Sequence, residues 1–269
     1  MAKTVLITGS TDGIGLETAK MLYAKGHRVL LHGRSQEKLA KAQREIAQQP
    51  GEGQLESYLA DLSRMVDVAA MAEQLTQAHS KLDLLINNAG VYNTPKAITP
   101  EGLDLRFVVN TIAPYLLTQR LLPLMDAGGR VVNLSSAAQA SVELDALAGR
   151  AELADGPAYA QSKLAITMWS HKLAMDLKAR GPAIIAVNPA SMLGSKMVQQ
   201  AFGVAGGDIR IGADILVRAA LSDEFANASG RYYDNDVGKF AAPHPDALDG
   251  AKCRAVIDMI EKLLARLTV

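Results

Sequence analysis

Tyr159 and Lys163 stand four residues apart in the stretch Ala158-Tyr159-Ala160-Gln161-Ser162-Lys163-Leu164-Ala165-Ile166. Pro157 precedes them and no helix breaker follows, which predicts a helix with Tyr159 in its first turns. The spacing puts phenol and ammonium on one face. A phenol with the ordinary pKa of about 10 is a poor acid or base at neutral pH. A cation within hydrogen-bonding reach favours the phenolate and moves such a pKa by roughly 1–3 units. Two units correspond to about 2.7 kcal/mol and bring the tyrosine toward the range of general acid–base catalysis. An exposed helix that happens to carry Tyr and Lys is the plain alternative.

A second group of residues has the pattern of a phosphate cradle. Val5-Leu6-Ile7 ends at Thr8-Gly9-Ser10-Thr11-Asp12-Gly13-Ile14-Gly15, and a helical pattern through Leu16, Ala19, Leu22 and Tyr23 follows. In this strand–turn–helix order, glycines 9, 13 and 15 let the backbone turn tightly and approach a pyrophosphate stabilised by the helix N-terminus. A purely structural turn is the alternative. Arg28 to Arg34 reads as the second strand and its end. A site for unmodified ribose would place an acid about 20 residues past the glycines. Here Gly33 is followed by Arg34, with no carboxylate until Glu37. A guanidinium suits a 2′-phosphate, so the reading is NADP(H); a solvated arginine at a helix start is the alternative. Asp61, beside Leu62, either accepts from an adenine amino group or caps the helix that follows.

Other candidates sit at strand ends or inside a helix. Asn87-Asn88-Ala89-Gly90 closes the predicted strand Leu82 to Ile86, and its small residues allow a cofactor close to the backbone. Asn110 lies in a predicted long helix, Leu103 to Leu122, among Phe107, Val108 and Ile112; an amide buried there without a partner is costly. Ser135-Ser136 ends the predicted strand Arg130 to Leu134, where ligands bind in open α/β sheets. The tyrosine helix is expected to run to about Arg180. Ala183 to Val187 forms the sixth strand, and Asn188-Pro189-Ala190 follows. Gln199 to Gly212 is rich in glycine and weakly patterned, and Ser191 to Gly212 reads as a mobile substrate lid with methionines suited to a bulky apolar carbonyl compound. A helix over Ala213 to Leu221, a last strand at Gly230 to Asp234 and a helix over Ala251 to Leu267 complete the chain.

The 269 residues are 49% hydrophobic with few aromatics, which suits buried parallel strands flanked by helices. Twenty-eight basic residues balance 28 acidic ones, giving no reason to expect nucleic acid or an anionic membrane as partner. No run reaches the length of a membrane span. One cysteine, Cys253, and a strand beginning at Thr4 are read as those of a cytoplasmic protein. The five histidines have no metal-ligand spacing, so no metal is expected. Trp169 is read as core, with an oligomer interface as the alternative.

Taken in order, the glycine-rich turn, Asn87-Asn88-Ala89-Gly90, Asn110, Ser136 and Tyr159-x-x-x-Lys163 resemble the short-chain dehydrogenase/reductase family over nearly the whole chain. The resemblance implies an α/β fold, one Rossmann-type doubly wound domain over 1–269 with a seven-stranded parallel sheet and helices on both faces. It implies Tyr159 as acid/base and Lys163 as the residue that holds the nicotinamide ribose and lowers the tyrosine pKa. Ser136 would hydrogen-bond the substrate oxygen, Asn110 would anchor a relay water, and Ser135 would pack or bond the backbone. Cofactor contacts are expected from residues 9–15, Arg34, Asp61, Leu62, Asn88, Ala89, Gly90, Tyr159, Lys163 and Pro189. A homodimer or homotetramer through the two long helices is also implied. Three departures stand out. Asp12 replaces the basic residue that NADP users often carry before the second glycine, leaving Arg34, with Ser10 or Thr11, for the phosphate. The Ser136–Tyr159 interval is longer than usual, as in the retinol-dehydrogenase-like branch. Asn188-Pro189-Ala190 replaces the common Pro-Gly. The expected activity is NADP-dependent interconversion of a carbonyl and an alcohol. A non-catalytic dinucleotide sensor or scaffold, and an epimerase or dehydratase, are the rivals.

Overall fold

The computed structural model describes residues 2–268. Strands and helices alternate in the order β1 (Thr4–Ile7), α1 (Gly13–Ala24), β2 (Arg28–Gly33), α2 (Gln36–Ala47), β3 (Gln54–Leu59), α3 (Met65–Ala78) and β4 (Leu84–Asn87). Then come α4 (Leu105–Phe107), a π-helical turn Val108–Ile112, α5 (Ala113–Leu121), β5 (Arg130–Leu134), α6 (Leu144–Leu147) and α7 (Asp155–Leu177). β6 (Ala183–Asn188), α8 (Lys196–Phe202), α9 (Arg210–Leu221), β7 (Tyr232–Asp234), β8 (Lys239–Ala241) and α10 (Gly250–Leu267) follow. The strands form one sheet in the order β3-β2-β1-β4-β5-β6-β7-β8, parallel except for the β7–β8 pair. The chain builds outward from β1 on one side, then returns to place β4 on the other. That reversal opens a crevice at the carboxyl ends of β1 and β4.

The central strands β1, β2, β4, β5 and β6 are largely aliphatic and alternate faces with period two. Leu6 and Leu30 join the core under α3, α5, α7 and α10, while Val5, Ile7, Val29 and Leu31 join the core under α1 and α9. α7 differs from an ordinary amphipathic helix, because every residue from Gln161 to Ser170 is buried. α10 packs across α7 on the face expected to meet a partner subunit. There Tyr115 Oη donates to Glu261 Oε1 at 2.8 Å, and Trp169, fully buried, meets the Tyr115 ring edge-on at 5.6 Å.

Several expectations are corrected. The sheet has eight strands rather than seven, since Lys239–Ala241 is too short for its periodicity to register. The expected single helix from Leu103 begins at Leu105 and is interrupted by the π-turn, in which Asn110 lies. Part of the expected unpatterned stretch from Gln199 is helical: α8 is capped by Ser195, whose side chain accepts from Val198 N, and ends at Gly203 in the left-handed conformation. The tyrosine helix is α-helical to Leu177 and closes in a 3-10 turn over Lys178–Arg180, near its expected end.

Two features of the frame generate measurable consequences. Arg106 is 1% exposed, grips Asp104 with Nε and Nη2 at 2.8 and 2.7 Å, and reaches Asp155, the first residue of α7. Arg106→Met should therefore destabilise the fold by about 3–5 kcal/mol in denaturant titration, because it leaves the Asp104 carboxylate buried and uncompensated. Ala190 takes φ 107, where the resemblance expects glycine. Such a conformation costs about 1–3 kcal/mol in a residue with a Cβ, against roughly 0.5–1 kcal/mol of extra entropy lost by glycine. Ala190→Gly should raise stability by about 1 kcal/mol in the same titration.

Candidate active site

The crevice holds a cavity of about 400 Å³ bordered by the turn after β1, the ends of β2, β4 and β5, the start of α7 and the segment after β6. The turn after β1 is held from both sides. Asn88 Nδ2 donates to Thr8 O at 2.9 Å and Gly9 O at 3.1 Å, and Ala89 N donates to Thr8 Oγ1 at 3.1 Å. Gly9 (φ 66) faces Ala89 so closely that a Cβ would lie 2.9 Å from Ala89 Cα; on Gly15 it would lie 2.4 Å from Asn88 Nδ2. From the other side, His32 Nδ1 accepts from Gly9 N at 3.0 Å and Nε2 contacts Ala60 O at 3.1 Å. These partners fix the neutral Nε2–H tautomer, and burial pulls the imidazole pKa down to about 4.

Gly9, Thr11, Asp12, Gly13 and Ile14 line the cavity, as do Arg34, Asp61, Leu62, Asn88, Ala89, Gly90 and Pro189. Ser10 and Gly15 stand behind the lining. The Ser10 hydroxyl is fully buried and occupied by β2, accepting from His32 N at 2.8 Å. That leaves Thr11 as the hydroxyl facing the cavity near Arg34. Arg34 itself is exposed and has no ion pair among the described residues. Asp61 does not cap α3: its Oδ1 accepts from Ser63 N at 2.9 Å, and the helix starts only at Met65. A two-residue turn thus takes the role expected of a helix cap.

At the other end of the cavity are Tyr159 and Lys163. Lys163 is buried, its Nζ donates to Leu134 O at 2.8 Å, and it lies 5.7 Å from the centroid of the Tyr159 ring. Burial pulls its pKa down to about 8. The expected lowering of the phenol is not found: burial raises the Tyr159 pKa, and the neighbouring Ser136 side chain opposes the rise. The ammonium is drawn to a main-chain carbonyl instead of the phenol oxygen, so desolvation dominates. Ser135 turns inward, with Oγ 2.7 Å from Thr167 Oγ1 and donating to Lys163 O at 3.2 Å.

Asn110 is 1% exposed and satisfied throughout. Oδ1 accepts from Val91 N at 2.8 Å, and Nδ2 donates to Val91 O at 2.9 Å and Ser162 Oγ at 3.0 Å. It splints the loop after β4 to α7 from a π-turn, a distortion frequent at functional sites. A Cβ on Gly90 would stand 3.4 Å from Asn110 Oδ1 and 3.5 Å from Lys163 Nζ, filling the space beside the ammonium.

Sequence reasoning missed four contributors. His32 gave no signal beyond being the polar residue in an apolar strand. Tyr92 packs on Tyr159 with ring centroids 4.8 Å apart, and on Phe202 of α8 at 5.5 Å. Lys196, at the start of α8, forms an ion pair with Asp12 across the cavity mouth. Asp236, in the β7–β8 turn, accepts from Ser191 N and Oγ at 2.7 and 2.6 Å and from Asn188 Nδ2 at 2.8 Å, anchoring the loop after β6.

The donor set fits a dinucleotide: left-handed glycines at a helix N-terminus, a turn where a Cβ on Gly9 or Gly15 would collide with Ala89 or Asn88, and at the end of β2 an arginine with no ion pair among the described residues. Comparison with known proteins agrees with this fold. Residues 3–203 match the family model described as short chain dehydrogenase. Human retinol dehydrogenase 13 is 30% identical over 266 residues, covering 92% of this chain and 80% of its own length. Retinol dehydrogenase 12 of Mus musculus is 33% identical, covering 87% and 78%. Among solved structures, a putative uncharacterized protein from Mycobacterium Paratuberculosis aligns with a TM-score of 0.81 at 27% identity, over 98% of this chain and 93% of that one. An angucycline C-6 ketoreductase with bound NADP aligns with a TM-score of 0.70 at 27% identity, over 87% and 93%. With its sheet order, glycine turn and these relatives, the chain belongs to the short-chain dehydrogenase/reductase family of oxidoreductases, in its retinol-dehydrogenase-like branch.

Proposed function

We propose that the protein interconverts an apolar carbonyl compound and its alcohol with NADP(H), using Tyr159 as the proton donor and acceptor. The observation that carries this reading is that Tyr159 and Lys163 line the same cavity as Arg34, with the Ser136 side chain beside Tyr159. The dinucleotide supplies or takes the hydride. Arg34 gives its 2′-phosphate a fork of donors, and the N-terminus of α1 favours its pyrophosphate. Ser136 directs its hydroxyl at the substrate oxygen. The neutral phenol, favoured by burial, is the form needed to give a proton in reduction. Lys163, bonded to Leu134 O at 2.8 Å, keeps a positive charge beside the ribose position and the phenol. Asn110 steadies the loop that frames them.

Tyr92 and Phe202, with Met197 of α8 at the cavity wall, make the substrate end apolar, which favours a bulky carbonyl compound over a sugar. In this reading 191–212 acts as a lid over that end, and α8 carries no buried residue that would hold it in place. A cytoplasmic location is part of the same proposal; no helix among the described residues is long and apolar enough to cross a membrane. Any homodimer or homotetramer would use a surface other than the part of α7 beneath α10.

NADPH oxidation against a panel of aldehydes, ketones and quinones tests the reading. Turnover of none of them, with NADPH bound, would favour the non-catalytic sensor. For the cofactor, Arg34→Ala should weaken NADPH by roughly ten- to hundredfold, the scale of one charge-assisted hydrogen bond, and leave NADH nearly unchanged. Equal affinity of the intact protein for both would contradict the assignment. For the chemistry, Tyr159→Phe should remove nearly all turnover and spare NADPH binding. In the intact protein, reduction rates should fall as pH rises through about 8, where Lys163 loses its proton. A flat rate between pH 7 and 9.5 would show that the lysine charge is dispensable.

A further inference from the structure

Ser136 lies just beyond the end of the β5 ladder. The last ladder bond there is from Ser135 N to Val187 O at 2.9 Å, so regular pairing does not orient the next peptide. Two side chains do. Tyr232 Oη donates to Ser136 O at 3.1 Å, and Gln139 Nε2 donates to the same oxygen at 2.9 Å. A carbonyl has two lone pairs, and both are taken. The Ser136 hydroxyl oxygen in turn accepts from Ala138 N at 3.1 Å. With the carbonyl and one hydroxyl lone pair committed, the hydroxyl proton is left for Tyr159 or a substrate oxygen.

Tyr232 comes from β7, separated from β5 by β6. Two strand spacings are about 9–10 Å, a span that a tyrosine covers only when its full length lies across the sheet end. Its ring is 5% exposed. Burial and the Asp234 carboxylate raise the Tyr232 pKa, so the phenol remains a donor throughout the working range. A phenylalanine would fill the same space, so what the tyrosine adds is one donor aimed at Ser136.

Resting on the functional reading above, we propose that Tyr232, assisted by Gln139, is a positioning residue that holds Ser136 so that its hydroxyl faces Tyr159 and the reacting oxygen. The groups facing Tyr159 are Ser136 from the end of β5, Tyr92 from the loop after β4, and Lys163 from its own helix. Those near Tyr232 are Gln139, Asp234 and Asp236. Of these, Ser136 alone connects the two tyrosines.

The test is titration of Tyr159, followed by NMR of tyrosine labelled at the phenolic carbon without substrate, together with kcat and KM on a turned-over carbonyl compound. Tyr232→Phe should shift the Tyr159 titration to higher pH, toward that of Ser136→Ala. It should lower kcat/KM by about three- to tenfold, the scale of one neutral hydrogen bond, and leave the NADPH Kd unchanged. Gln139→Ala should act in the same direction and carries the test if Tyr232→Phe does not fold. In a Ser136→Ala background the effect of either change should vanish, as expected of residues acting through one group. An unmoved Tyr159 titration, or a rate loss that persists in the Ser136→Ala background, would overturn the proposal. A protein that reduces no carbonyl compound would sink the functional reading, while the titration would still decide the role of Tyr232.

Discussion

A buried polar seam fixes how α7 sits on the sheet, and the reactive end of the site depends on it. Asn87 Nδ2 donates to Thr118 Oγ1 and Asn133 Oδ1 at 3.2 and 2.8 Å, and Asn133 Nδ2 donates to Ser170 Oγ at 2.8 Å. Ser135, Thr167 and the Lys163 ammonium continue it toward the cavity. Apolar packing alone is poor at setting the rotation of a helix buried on every side, since one rotamer set is nearly as good as the next. Hydrogen bonds in a low-dielectric interior are directional, and leaving them unmade is costly. The seam therefore selects one rotation of α7, and that rotation points Tyr159 and Lys163 at the cavity.

The cofactor end is fixed by different means. There the backbone itself is the ligand-facing surface, and side chains splint it. His32 and Asn88 grip the turn after β1 from β2 and β4, so the glycines present their backbone without needing a ligand to order it. A histidine titrating near 4 remains neutral at working pH, so the splint is insensitive to pH while Lys163, at about 8, is not.

Between these ends lies a surface that nothing buries. α8 has no buried residue, Phe202 is 51% exposed, and the Lys196–Asp12 pair spans the mouth. Exposed ion pairs contribute about 0–1 kcal/mol, so this pair adds little to holding α8 in place. The strained backbone at Ala190 and the Asp236 anchor define where this segment starts.

By itself the sequence determined the alternation of strands and helices, the glycine turn, and Asn110, the Ser135-Ser136 pair, Tyr159 and Lys163 as candidate chemical groups, the choice of Ser136 coming from the family resemblance. These are local matters: aliphatic runs with period two, glycines at a strand–helix junction, and a four-residue spacing all register within a few residues. Tertiary structure alone decided which groups those residues touch. Lys163 spends its proton on Leu134 O rather than on the phenol, Ser10 turns away from the cavity, and Asp61 closes a turn instead of capping α3. It also decided the roles of His32, Tyr92, Lys196 and Tyr232, whose partners lie 22 to 184 residues away where hydrogen-bonded. A hydrogen bond over such separations leaves no periodic trace in the chain, because its partners meet only after the sheet has set their order.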